Sequence, residues 1–339
     1  MKPGPLPPPT TPRCARRRLL ALALCAVCAP VAFAQPTAKR RRIAFFNVLP
    51  PEAPGAVTAV ARFREGMQTQ GFSRGAAYEI DYLWEEHIER VPARMHALLG
   101  CRPDLVVAIT TPVALAAAKA TREVPIVFGT VSDPVASGLV QSLARPGGNV
   151  TGVANILSAL SGKLVELARE ILPGARRIAV LWNPDNPAKA LELRELEAHA
   201  QRAGIACLRF PARSAAEIEA AVSSLDPTKV GALVVLSETL THFNREGIAR
   251  LALAARMPTL FNYAPHVEAG GLAAYSPDYE LQAMRLGELA GRILAGASPA
   301  TLPVEQPNRF LLTVNLRTAR ALGLVLPPAV LLRAEKVLE

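Results

Sequence analysis

Beyond residue 42 the chain alternates two patterns of apolar and polar positions. Short apolar runs, rich in Val, Ile, Leu and Phe, fall at 43–48, 78–84, 105–109 and 125–128; longer amphipathic stretches fall between them at 56–70, 91–99 and 112–120. Runs of the first kind suit strands buried on both faces, and helical crossovers between such strands imply a parallel, doubly wound sheet. The fold class expected is therefore α/β. Helix starts are marked as well: Thr111-Pro112 and Asn186-Pro187 put a capping residue before a proline, and Ser214 to Glu217 has capping-box spacing.

The rhythm then runs a second time. Arg41-Arg42-Ile43-Ala44 recurs as Arg176-Arg177-Ile178-Ala179, Leu105-Val106-Val107 as Leu233-Val234-Val235, and Pro125-Ile126-Val127-Phe128 as Pro258-Thr259-Leu260-Phe261. Each match is short, but three in the same order at nearly constant offset predict two similar doubly wound lobes. No Gly-, Pro- or Ser-rich linker separates them, so crossing strands near Asn149–Val153 and from Gly270 to Ser276 are expected to form a hinge. The expected division is residues 43–152 plus 275–309 in the first lobe and 153–274 in the second, with 310–339 a tail assigned to neither.

Open parallel sheets present ligand-binding groups beyond the carboxyl ends of their strands, and two facing lobes turn those ends into a cleft. That rule selects Asn47, Thr110, Thr111, Ser132, Asp133, Trp182, Asn183, Ser237, Glu238, Tyr263 and Tyr275 as candidate ligand-binding residues. The hydroxyls suit a carboxylate, helix starts expected after Thr111 and Asp133 add N–H groups, and Asp133 or Glu238 could hold an amine. Trp182, Tyr263 and Tyr275 could cover an apolar or aromatic solute or pack between the lobes. For each hydroxyl or acid the competing role is simple helix capping.

The formal net charge of +10 invites a nucleic-acid reading. Its distribution argues against one, because Lys2, Arg13, Arg16, Arg17, Arg18 and Lys39 to Arg42 supply nine cations before the first acid, leaving a nearly neutral body. The arginines precede the apolar run 19–29, and Ala32-Phe33-Ala34 follows: a basic region, a short apolar core and an A-x-A site. Residues 1–34 thus read as a signal peptide cleaved after Ala34, with 35–42 a basic N-terminal segment and the periplasm as destination. The apolar run is too short to span a bilayer, which takes roughly 20 residues. Of the five cysteines, only Cys101 and Cys207 lie beyond the signal, and they are expected as two separate buried thiols.

No catalytic set emerges. Gly71-Phe72-Ser73-Arg74-Gly75 matches the nucleophile-elbow pattern, but that motif needs a strand-to-helix turn and here the order is helix to strand. The glycines at 147 and 148 and the Gly162-Lys163 pair lack the spacing of nucleotide-binding loops. None of the five histidines has a partner at metal-ligand spacing, so no metal or other cofactor is expected.

The chain resembles the periplasmic substrate-binding proteins of ABC importers. They belong to the broad type I class, with leucine/isoleucine/valine-binding and ribose-binding proteins. Within it the likeness is to the family that includes tryptophan-binding members. The resemblance rests on Val131-Ser132-Asp133-Pro134-Val135, on Gly138-Leu139-Val140 with Ser142 through Gly152, on Asp278-Tyr279 and on the tail from Leu302 to Leu324. One departure is Ala274-Tyr275-Ser276-Pro277, where the family usually has Ser-Tyr-Gly before Asp-Tyr. The resemblance implies a monomer that captures a small organic solute, an amino acid or related carboxylate, and delivers it to an inner-membrane ABC permease. A sensor feeding a membrane receptor and a secreted α/β hydrolase are the alternatives. A two-lobed repressor would need a helix-turn-helix where this chain has its export signal.

Overall fold

The computed structural model describes residues 40–339 apart from 74, 76 and 156, so the signal segment and cleavage site lie outside the described residues. The first sheet contains β1 (Arg41–Asn47), β2 (Tyr78–Trp84), β3 (Leu105–Ile109), β4 (Ile126–Val131) and β5 (Val150–Ala154), all parallel, in the order β2-β1-β3-β4-β5. Crossovers are made by α1 (Pro54–Thr69), α2 (Val91–Gly100) and α3 (Thr111–Ala120). Successive residues of β1 feed opposite cores, as strand geometry requires. Ile43 and Phe45 pack with Phe63 and Met67 of α1, whereas Ala44 and Phe46 pack with Val91 and Met95 of α2.

The second lobe repeats the order. It begins with α4 (Ser161–Ile171), and its strands are β6 (Arg177–Trp182), β7 (Ala206–Pro211), β8 (Ala232–Val235), β9 (Thr259–Phe261) and β10 (Ala273–Pro277), arranged β7-β6-β8-β9-β10. Its other helices are α5 (Pro187–Arg202), α6 (Ala215–Ser223), α7 (Thr239–Phe243), α8 (Arg245–Ala254) and α9 (Pro265–Glu268). The caps form at two of the marked positions. Asn186 accepts from the Ala188 N–H (3.2 Å) and Ser214 from the Glu217 N–H (3.2 Å).

After β10 the chain returns to the first lobe as α10 (Tyr279–Leu294), which lies along α1. Two glycines permit this approach: a Cβ on Gly66 would stand 1.9 Å from the Met284 carbonyl oxygen, and one on Gly287 2.0 Å from that of Phe63. The tail then extends the second sheet with β11 (Phe310–Asn315), antiparallel to β10, followed by α11 (Leu316–Ala321), α12 (Pro328–Arg333) and β12 (Lys336–Leu338).

These pairings move three expected boundaries. Val153 and Ala154, expected in the second lobe, belong to β5 of the first sheet, where Ala154 pairs with Val131. Residues 275–277 sit within β10 of the second sheet, because Tyr275 pairs with Leu312 and Pro277 with Phe310, so the chain crosses only at Asp278. Arg41 and Arg42, read as part of a basic segment, belong to β1, where their charges are met by Asp104 (3.2 Å) and Asp81 (2.7 Å). At the hinge, the Ala154 N–H donates to the Glu305 carbonyl (2.9 Å) and the Asp278 N–H to that of Arg309 (3.0 Å). Cys101 and Cys207 lie in different lobes without a disulfide, each half-buried rather than buried. No helix among the described residues is long and apolar enough to cross a membrane.

Candidate functional site

Strand order 2-1-3-4-5 reverses between the first and third strands, and the crevice at that point is where such sheets bind ligands. Both reversal points face one interlobe cleft. Asn47 ends β1, Thr110 and Thr111 follow β3, and Thr130 and Ser132 close β4; from the other lobe come Ser237, Glu238 and Tyr263. The cleft holds a cavity of about 180 Å³. At roughly 10–15 Å³ per water, that space matches a solute of about a dozen non-hydrogen atoms. Phe45, Ile109, Leu157 and Leu286 give it apolar walls.

Thr110 carries the clearest mark of function. Its backbone sits at φ 83°, ψ 155°, a region nearly reserved for glycine, and its buried hydroxyl has no hydrogen-bond partner among the described residues. Thr130, across the same cleft wall, also has positive φ, at 53°. Two β-branched residues held in this way cost stability, and such strain concentrates at sites that use it. The strained turn presents the first residues of α3, whose N–H groups and dipole favour a carboxylate.

The other lobe contributes a supported loop. The Ser237 N–H donates to Asn262 Oδ1 (3.0 Å), the Asn262 amide donates to Glu192, and Glu192 is paired with Lys189, all fully or nearly fully buried. The Ser237 hydroxyl is left without a partner among the described residues. Glu238 caps α7 through the Leu240 N–H (3.1 Å) and accepts from Asn183 Nδ2 (3.3 Å). A carboxylate has about four acceptor positions, so capacity remains for an ammonium group. Glu238 is the single formal charge among the lining residues, since burial pushes His242 down to about 4. Tyr263, its phenol raised to about 12 by burial, meets Tyr279 edge-on at 4.8 Å.

Four candidates fall elsewhere. Asp133 is absent from the lining: the segment after it is a turn rather than a helix, and Asp133 Oδ1 accepts from the N–H groups of Val135 (3.1 Å) and Ala136 (2.9 Å), the capping role. Tyr275 is a mid-strand residue whose ring stacks on Phe310 at 5.9 Å, and Trp182 packs on the core beneath α4 and α5. Asn183 reaches the site through Glu238 alone. Missed by the strand-end rule were Asn155, Tyr279 and Gln282, from the crossing segment and the first turn of α10, and also His242.

Two lobes of one topology, closing polar and apolar groups over a cavity of this size, define a two-lobed solute-binding protein. The family of ABC transporter substrate binding proteins matches residues 47–338, and the chain belongs to it. That is a family of binding proteins rather than enzymes. The chain is 29% identical to a tyrosine-binding protein of Clostridioides difficile (strain R20291) over 80% of this chain and 79% of that one. A Streptococcus pneumoniae domain solved in complex with L-Trp has 26% identity and a TM-score of 0.81, covering 88% of this chain and 100% of that one. A ligand-free, open substrate-binding protein from Clostridium difficile, with adhesive properties, has 27% identity but a TM-score of 0.69, covering 88% and 99%.

Proposed function

We propose that this protein is the periplasmic solute-binding component of an ABC importer and that its solute is an aromatic amino acid. The observation that carries the reading is the cleft itself, where buried hydroxyls of Thr110 and Ser237, one from each lobe, stand without partners among the described residues around a single acidic group. The solute carboxylate sits at the start of α3 with Thr110 and Thr111, its ammonium faces Glu238, and its ring lies among Phe45, Tyr263 and Leu286. The tyrosine- and tryptophan-binding relatives support this choice within the broader class of amino acids and related carboxylates. Closure buries the solute between lobes, and the closed form delivers it to an inner-membrane permease. The signal-peptide pattern read at the N-terminus of the sequence supports the periplasmic assignment.

Native mass spectrometry of the exported protein tests this. Retention of an amino acid and a first residue of Gln35 are expected. Retention of a sugar or nucleoside, or turnover of any bound compound, would overturn it.

A further inference from the structure

The hinge end of the cleft holds polar groups that the proposed contacts to the carboxylate and ammonium leave unused. Asn155 lies just beyond β5 and Gln282 in the first turn of α10; both are more than nine-tenths buried and both line the cleft. Asn155 Oδ1 and both amide atoms of Gln282 lack hydrogen-bond partners among the described residues. Asn155 Nδ2 contacts the Tyr279 hydroxyl at 3.4 Å, and Tyr279 and Gln282 lie three residues apart on one helix face, so the three groups form one cluster. Leaving such buried amides unpaired is costly, so they are fitted to something that occupies the cleft.

Geometry indicates which part of the solute that is. In the order β3-β4-β5, the strand end bearing Thr110 and the one leading to Asn155 are two strand spacings apart, about 9.5 Å. That matches the reach of an aromatic amino acid from its carboxylate to the far edge of its ring. An amide offers both a donor and an acceptor, the complement of a phenol and equally able to accept from an indole N–H.

We propose that Asn155 and Gln282 are the specificity determinants of the cleft, requiring a hydrogen-bonding group at the far end of the solute side chain. The protein accordingly takes tyrosine or tryptophan and rejects phenylalanine. This rests on the aromatic amino acid reading above. Rejection follows from the site rather than from the ligand, because phenylalanine closes the same cleft but leaves the amides buried and unpaired.

Calorimetric titration of the exported protein with L-tyrosine, L-tryptophan and L-phenylalanine tests the inference. Phenylalanine is expected to bind at least about 100-fold more weakly than the better of the other two. Gln282→Leu should bring the three to within about tenfold, with Gln282→Met as the isosteric check on folding. Gln282 also borders a second cavity at the hinge, beside Asp278 and Arg285. If its amide serves only that side, both variants change the melting temperature and leave the ligand ratio as it was, which overturns the proposal. Wild-type binding of phenylalanine within about tenfold of the better of tyrosine and tryptophan overturns it while leaving the aromatic reading intact. Binding of none of the three overturns both.

Discussion

Thr110→Gly should make the protein more stable and worse at binding. At φ 83°, ψ 155° the threonine occupies backbone space that glycine enters freely. Strain of this kind costs about 1–3 kcal/mol. Against that relief stands the extra freedom of glycine in the unfolded chain, roughly 0.5–1 kcal/mol. The net gain is roughly 0.5–2 kcal/mol, or about 1–8 °C in Tm at 2–4 °C per kcal/mol for a lobe of this size. The lost hydroxyl has the opposite effect on binding. A hydrogen bond to a charged carboxylate contributes about 1.5–3 kcal/mol, so Kd should rise by roughly ten- to a hundredfold. Differential scanning calorimetry without ligand reads the first quantity, and titration with L-tyrosine or L-tryptophan reads the second. Thr110→Ser separates backbone from hydroxyl, since it retains the oxygen and should bind within a few-fold of wild type. A fall in Tm with unchanged affinity would show the conformation to be structural and refute the reasoning.

Gly287→Ala should lose about 3 kcal/mol in urea unfolding, the upper end of the overpacking range, because its methyl group would meet the Phe63 carbonyl at 2.0 Å and force α10 away from α1. Glu192→Leu should cost about 3–5 kcal/mol by stranding the buried Lys189 ammonium, and adding Lys189→Met should recover most of that stability while leaving Asn262 and the Ser237 loop unsupported, so binding stays weak. Burial, reinforced by the neighbouring His242, holds His266 down to about 3, against an ordinary value near 6.5. The unfolded chain therefore takes up a proton first as pH falls; stability is full above about 6.5, drops by about 2 kcal/mol by pH 5, and stops falling on this account below about 3. Urea midpoints at pH 7 and pH 5 check this; buried His242, held down to about 4, adds a loss of the same sign, so His266→Phe should remove about half of the total difference.

How much of the site the sequence revealed depends on which chain geometry carries each residue. Thr110, Thr111, Ser132, Ser237, Glu238 and Tyr263 follow apolar runs, and a parallel sheet brings all such positions to one edge whatever its detailed packing. The rule failed where a run's last residues still belong to the sheet. Tyr275 reads as a strand end beside the crossing expected from Gly270 to Ser276, yet β11 pairs with β10 out to Pro277, and alternation turns the Tyr275 ring onto the helix-covered face. Trp182 ends β6 with its ring turned onto the core beneath α4 and α5, so the residue after it, Asn183, makes the link to Glu238. Asp133 misled through chemistry: a Ser-Asp-Pro sequence is equally good at starting a helix and at closing a turn, and nothing local distinguishes the two.

Asn155, Tyr279 and Gln282 were illegible for a different reason, since they come from the segments that pass between lobes. Their place in the cleft is set by long-range facts, the crossing after β5 and the docking of α10 on α1 through Gly66 and Gly287, rather than by anything within a few residues of them. Periodicity can find the lobes, and the lobes place the groups expected to hold the part every amino acid shares. The groups proposed to tell one amino acid from another stand at the hinge. There, residues from a crossing segment and a helix start meet between the lobes, and if the lobes close on the solute as proposed, one that leaves their amides unpaired also opposes the closed form. Selectivity and closure are then one equilibrium. It follows that Gln282→Leu should alter which solutes close the lobes as well as how tightly they bind.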